Sequence, residues 1–291
     1  MSNDVTIALR KMNGLGNDFA VLDARPRGLT LSIDQARRIA DRKSGVGCDQ
    51  VIAIEPSSAG ADAFMRIWNA DGGEVEACGN AMRCIATVLA QELERPQVNI
   101  ETRAGISSAI VNADGSVTVD MGAPKFRWDE IPLSEEFHDT RTIELQAGPI
   151  DAPVLHSPSA VNVGNPHCIF WVDDVGAHDL SRIGPLLEHH PMFPERANIS
   201  LAHVTSPGTI ALQTWERGAG LTRACGTAAC AAVAAAARKG LTGRKVTVTL
   251  PGGELRIEWR ESDDHILMTG PGELEYEATL DPALLKAEPV A

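Results

Sequence analysis

The chain has 291 residues, of which 44 % are hydrophobic and 22 % charged, the composition of an ordinary globular protein of about two domains. A formal net charge of −13 argues against a nucleic-acid surface or an anionic membrane, which call for a basic patch, and leaves room for a small zwitterionic ligand. Six cysteines are too sparse for a disulfide scaffold, and the spacings Cys78/Cys84 and Cys225/Cys230 carry no zinc signature.

In chain order, residues 5–9 and 19–22 read as strands around the turn Gly14-Leu15-Gly16-Asn17. Ser32 or Asp34 is placed to cap a helix running to about Arg42. Residues 51–54 and 63–68 are short apolar strands, and a helix is predicted from Gly79 to about Leu93, stopping ahead of Pro96. Strands at 98–102, 107–111 and 117–121 follow, the last two joined by the hairpin signal Asp114-Gly115. After a connection at 124–140 the second half repeats this order. Its helix, from Cys225 to Ala237, has no charged residue and is mostly alanine. A helix apolar on every side is buried on every side, so it is expected at the centre of a curved sheet, ending at Gly240.

The repetition is visible in the residues. Trp68, Ala77-Cys78-Gly79 and Ala81 align without a gap on Trp215, Ala224-Cys225-Gly226 and Ala228, 147 residues later. Gly16-Asn17 recurs as Gly164-Asn165, Gln50 as Asn198, and Gly122 as Gly270, each offset by 148. A shared order at a nearly constant offset is the mark of an internal duplication.

A lone cysteine beside an alanine-rich helix is ordinarily an inert core thiol. Two of them in matching positions are not ordinary. A cysteine at a helix N-terminus lies beside unpaired N–H groups and the positive end of the helix dipole, which favours the thiolate and binds carboxylates. One sulfur from each half, placed on opposite faces of a carbon, would remove a proton from one side and return one to the other. Fixed N–H donors and exclusion of water would have to stabilise the charge formed between those two steps. Cys48, Cys84, Cys168 and Cys230 are read as structural.

At this point the motifs resemble a known family. Gly14-Leu-Gly-Asn17-Asp-Phe19, Gly45-Val-Gly-Cys-Asp-Gln50, Asn69-Ala-Asp-Gly72, Cys78-Gly-Asn80 with Arg83-Cys84, Gly164-Asn-Pro-His167, Asn198, Glu216-Arg-Gly-Ala-Gly220 and Ala224-Cys-Gly-Thr227 together resemble the diaminopimelate epimerases. The resemblance implies interconversion of LL- and meso-2,6-diaminopimelate in lysine and peptidoglycan precursor biosynthesis, with no pyridoxal phosphate, other cofactor or metal. It implies that Cys78 and Cys225 are the acid/base thiols, with their pKa values tuned by His167 and Glu216. It further implies that Gly79-Asn80 and Gly226-Thr227 cradle the reacting carboxylate and that Glu216 lies near the reacting ammonium. Asn69, Asn165, Asn198 and Arg217 would hold the distal amino-acid end, with Asn17 and Gln50 lining the pocket. Arginine suits bidentate carboxylate recognition, and amides serve a zwitterion without adding charge. Tyr276, the single tyrosine, would lie at a homodimer contact.

The expected architecture is α+β. Two pseudo-symmetric domains arise by duplication, 1–123 and 124–270, each a curved mixed β-sheet or barrel wrapped around a central helix. Residues 271–291 are expected to return to the first domain, and the active site to lie in the cleft between the two. No N-terminal stretch looks like a secretory signal, and the most apolar run, 224–237, falls short of the roughly 20 residues that span a bilayer. A cytoplasmic location is therefore expected, with no membrane or nucleic-acid partner. Two alternatives compete with the epimerase: a proline or hydroxyproline racemase on the same scaffold, and a non-catalytic redox or zinc thiol protein. The racemases usually carry Cys-Gly-His where this chain has Cys78-Gly79-Asn80.

Overall fold

The computed structural model describes residues 7–149 and 151–286. Val5 and Thr6 of the first expected strand and residues 287–291 of the returning segment lie outside the described residues. The first half contains β1 (Ile7–Gly14), β2 (Asn17–Asp23), α1 (Ile33–Ala40), β3 (Gln50–Glu55), β4 (Ala63–Asn69), β5 (Glu74–Val75), α2 (Gly79–Glu92), β6 (Gln97–Thr102), β7 (Gly105–Val111) and β8 (Val117–Asp120). The second contains β9 (Gln146–Ala147), β10 (Leu155–His156), β11 (Ser159–Asn162), β12 (Pro166–Trp171), α3 (Leu180–Glu188) and β13 (Asn198–Ser206). It continues with β14 (Thr209–Glu216), β15 (Gly220–Thr222), α4 (Gly226–Arg238), β16 (Lys245–Leu250), β17 (Gly253–Trp259) and β18 (Ile266–Gly270), and β19 (Glu273–Leu280) follows. These elements form two compact units: one holds the residues up to 119 together with those from 270 onward, the other holds 120–269.

In the first unit β1 pairs antiparallel with β2 on one side and with β19 on the other. β2 runs parallel to β3, β3 antiparallel to β4, β4 parallel to β6, and β6 and β7 continue antiparallel to β8. The second unit follows the same scheme from β11 to β17, ending in the antiparallel pair β17–β18. The registers coincide. Phe19 faces Gln50 and His167 faces Asn198; Val51 faces Trp68 and Ile199 faces Trp215; Trp68 faces Glu74 and Trp215 faces Leu221. Each pair maps onto its counterpart through the offsets read from the sequence.

Phe19 to Leu22 and Val51 to Ile54 are at most 1 % exposed. These are continuous apolar runs, as expected of parallel strands covered on both faces. One helix of each unit supplies the inner cover. α2 packs on β1, β6 and β7, while α4 packs on β11, β12, β13, β14, β16 and β17. All residues from 228 to 236 are buried, so the alanine run is a central helix whose small side chains admit strands on many sides. α1 and α3 pack on β3 and β4, and on β13 to β15, respectively.

β1 runs five residues past its expected end, to Gly14, and two further differences bear on the core. α1 begins with a capping box between Ser32 and Gln35 but ends at Ala40. Asp41 turns the chain there, its carboxylate accepting the Lys43 and Ser44 N–H groups at 2.7 Å. The connection after residue 124 is also more than a link, because Ile131 and Leu133 enter the core beside Phe170, Leu180 and Leu201.

Candidate active site

Cys78 is the N-cap of α2, with extended backbone at φ −147° and ψ 113°. Cys225 is the N-cap of α4 at φ −121° and ψ 108°. The duplication thus places both thiols at equivalent helix starts, and each unit surrounds its own with a different polar environment.

In the first unit an oriented chain of amides leads to the sulfur. The fully buried Arg83 donates through Nη2 to Asn80 Oδ1 at 3.0 Å. Asn80 Nδ2 donates to Asn17 Oδ1 at 3.5 Å, and Asn17 Nδ2 donates to Asp49 Oδ2 at 3.0 Å. A carboxylate only accepts, so Asp49 fixes the nitrogen of Asn17 toward itself and leaves Oδ1 facing the thiol. The Cys78 thiol donates to that oxygen at 3.9 Å. Asn17 follows a two-residue turn in which Leu15 holds φ 61°, a left-handed conformation costly for a branched side chain. Asp49 also shares Arg42 with Asp18. Burial pushes the Asp18 carboxyl up, but donors from Arg42 and Lys11 outweigh it and hold the group well below the usual range. Beside this cluster Gln50 Nε2 donates to Asn69 Oδ1 at 2.9 Å, while the buried Gln50 Oε1 has no partner among the described residues.

In the second unit Cys225 Sγ lies 3.4 Å from Thr227 Oγ1. Burial pushes its thiol well above the ordinary value, the neighbouring Glu216 charge pushes the same way, and Thr227 and the Ala228 N–H pull against them. Desolvation at 4 % exposure works here against the thiolate that a helix N-terminus favours. Burial likewise raises Glu216, opposed by donors from Thr222 and Cys225. A second group gathers Asn165, His167, Asn198 and Arg217. His167 Nε2 lies 2.7 Å from Asn165 Oδ1 and 3.5 Å from Asn198 Nδ2. Asn198 Oδ1 accepts the Arg217 N–H at 2.9 Å. Complete burial, aided by the Arg217 charge, lowers His167 to about 3, so its ring is neutral. Its Nδ1 is buried without a partner among the described residues.

The expected residues therefore fall into three described groups. Cys78, Asn17 and Asn80 share one, with Gly79 O accepting from Arg83 at 3.5 Å and the Gln50–Asn69 pair alongside. Cys225, Gly226, Thr227 and Glu216 share another, and His167, Asn165, Asn198 and Arg217 the third. Tyr276 is separate, 46 % exposed on β19 and facing Lys11 of β1. Burial pushes Cys48 up to about 11 and Cys84 to about 12, which leaves both unreactive. Among the described residues, no three His, Cys, Asp or Glu side chains are grouped to hold a metal ion, and no helix is long and apolar enough to cross a membrane.

The sequence matches the family model described as Diaminopimelate epimerase over residues 9–127 and 159–275. The chain belongs to the diaminopimelate epimerase family. A diaminopimelate epimerase of Brucella anthropi is 59 % identical over 95 % of this chain and 92 % of its own. One of Nitrobacter hamburgensis is 57 % identical over 95 % and 96 %. Among solved structures, a hydroxyproline epimerase of Agrobacterium vitis with bound trans-4-hydroxy-L-proline superposes with a TM-score of 0.68 at 17 % identity, covering 97 % of this chain and 95 % of that one. A phenazine biosynthesis protein of the PhzF family from Bacillus anthracis gives 0.66 at 18 %, covering 95 % and 99 %. Both likenesses show the α+β fold. The two stretches that match the diaminopimelate epimerase family contain both cysteine motifs. They omit 128–158, the segment that carries β9 and β10.

Four residues that support these groups or the chain beside them went unassigned from the sequence. Arg83 stood only as a motif neighbour, although a lone arginine in an otherwise uncharged helical stretch from Gly79 to Ala90 was a usable signal. Asp49, Thr222 and Glu188 offered none, because each acts through a partner 6 to 32 positions away that only the fold brings to it.

Proposed function

We propose that this chain interconverts LL- and meso-2,6-diaminopimelate by moving the α-proton between two sulfurs, without pyridoxal phosphate. The observation that carries the reading is the equivalent N-cap placement of Cys78 and Cys225, in a chain of this family. One sulfur, as thiolate, takes the α-hydrogen as a proton and becomes a thiol. The other, as thiol, gives its proton to the opposite face of the same carbon and becomes a thiolate. Each turnover thus needs one thiol and one thiolate. The buried surroundings of Cys225 favour the thiol, so Cys78 is assigned as the base of the turnover that begins from this state.

The first-turn N–H groups at Gly79-Asn80 and Gly226-Thr227 suit the reacting carboxylate, whose charge grows as the proton leaves. Glu216 is assigned to the reacting ammonium, and with His167 to tuning of the thiols. Asn69, Asn165, Asn198 and Arg217 are assigned to the distal ammonium and carboxylate, with Asn17 and Gln50 lining the pocket. The buried acceptors Gln50 Oε1 and His167 Nδ1 have no partner among the described residues, as suits groups that bind substrate. Proline offers no distal groups to these residues, which argues against a racemase of that class. We place the enzyme in the cytoplasm as a homodimer. β19 exposes Leu274 and Tyr276 beside its one described partner strand, β1, and an exposed strand edge invites pairing with a second copy.

Proton NMR of the reduced protein with LL-diaminopimelate in D2O tests the reading. Loss of an α-proton signal together with appearance of the meso isomer is expected. Absence of exchange with fully reduced thiols would overturn it.

A further inference from the structure

Glu188, the last residue of α3, is 3 % exposed and belongs to none of the groups described above. Its carboxylate gathers donors from two other segments. Oε2 accepts the Trp215 Nε1–H at 2.7 Å, Oε1 accepts the Gly218 N–H at 3.0 Å, and Arg196 Nη1 lies 3.8 Å from Oε1. A carboxylate at such depth is costly to desolvate unless directed donors replace its water, and these donors bracket Glu216 and Arg217 in the chain.

We propose that Glu188 is a positioning residue that sets the turn at 215–218, and through it the placement of Glu216 and Arg217. The proposal rests on the diaminopimelate reading, in which those two side chains meet the two ends of the substrate. Glu188 has no part in proton transfer and acts through the turn. The segment after it completes the clamp: Glu195 O accepts Arg217 Nη1 at 2.9 Å and Asn198 Oδ1 accepts the Arg217 N–H at 2.9 Å. The distance from α3 to the indole is fixed by Gly184, where a Cβ would stand 2.5 Å from Trp215 Cγ.

The duplication provides an internal comparison. At the offset of 148 that holds on both sides of this region, the counterpart of Glu188 is Ala40, the last residue of α1, which has no carboxylate to bind a turn. After Trp68 the chain has Asn69 and Ala70 where the second half has Glu216 and Arg217. The clamp is present where the turn carries the charged pair. Recognition of a carboxylate by a guanidinium is sensitive to displacements well under 1 Å, so the support behind it matters as much as the group itself.

Glu188→Gln keeps the shape but turns one acceptor into a donor, so that either Trp215 or Gly218 loses its partner. Trp215→Phe keeps the ring packing, removes one donor, and identifies the Trp215 resonance in an indole N–H spectrum of the intact protein. In folded E188Q that resonance is expected to move upfield, and the KM for LL-diaminopimelate to rise at least tenfold while kcat changes less than threefold. W215F is expected to raise KM severalfold, and the double variant to cost less than the product of the two. An unmoved resonance in E188Q, or wild-type KM in a folded E188Q, overturns the proposal. Should E188Q fail to fold, W215F decides, and an unchanged KM there overturns it. A wild-type protein that does not turn over diaminopimelate would instead sink the functional reading. The clamp is read separately, from the substrate-free indole spectrum.

Discussion

At Cys225 a buried thiol and the half-buried Glu216 sit side by side, and the donors around them decide which keeps its proton. Burial raises both the thiol and Glu216, and the carboxylate is pulled back by the Thr222 and Cys225 side chains. Thr222 Oγ1 donates to Glu216 Oε1 at 2.5 Å, a charge-assisted hydrogen bond of the strong kind. Removing that hydroxyl leaves a half-buried carboxylate short of a donor, at a cost of about 1 kcal/mol. The direction is fixed: with the donor gone, Glu216 holds its proton to higher pH. For Thr222→Val we therefore predict that the acid limb of the kcat/KM profile moves to higher pH, by about one unit for each 1.4 kcal/mol lost. Thr222→Ser keeps the hydroxyl and should keep the profile. A valine variant with an unshifted acid limb would show that this bond does not govern the charge on Glu216.

At the scale of elements, α2 and α4 descend from one ancestor helix but have diverged in bulk. Ile85 and Leu89 of α2 are fully buried, and the positions 147 residues on are Ala232 and Ala236, also fully buried. The difference follows the surroundings. α2 meets β1, β6 and β7, while α4 is enclosed by strands from β11 through β17. Protein interiors are close-packed, and an added side chain in a filled space forces shifts costing about 1–3 kcal/mol. Ala232→Ile, which installs the residue tolerated in the first half, is thus predicted to lower the unfolding midpoint by at least about 2–4 °C. The reverse change, Ile85→Ala, should destabilise by leaving a cavity, at about 2–5 kcal/mol. Thermal unfolding of the two variants checks both, and a neutral A232I would mean that α4 has room its burial does not reveal.

Across the molecule, what the sequence disclosed was periodic or repeated. The duplication could be read because its anchors keep one offset, and the strand registers follow from it, down to Phe19–Gln50 against His167–Asn198. The N-cap cysteines were legible for the same reason. Protonation was not, because it depends on depth: a helix start favours the thiolate at either cysteine, and burial at Cys225 pushes the other way. His167 shows the same blindness. Its counterpart Phe19 is an apolar core residue, and nothing in Gly164-Asn165-Pro166-His167 says that the imidazole is equally buried. That burial has a consequence for the whole fold. The unfolded chain binds a proton at this ring below the ordinary value of 6.5, whereas the folded protein does so only near 3. Between those values the unfolded state holds more protons, so stability falls as the pH is lowered, by up to about 1.4 kcal/mol per unit for this one group. Below the ordinary carboxylate range Asp18 adds a loss of the same sign, since its folded pKa is depressed. Urea unfolding of the wild type from pH 7 to pH 4 should show this decline setting in near 6.5. In His167→Phe, which restores the residue of the first half, the slope should be shallower by one proton, whatever the variant does to absolute stability. Equal slopes in the two proteins would mean that the ring is protonated within the fold, and that Arg217 and the amides around it are arranged for a cation after all.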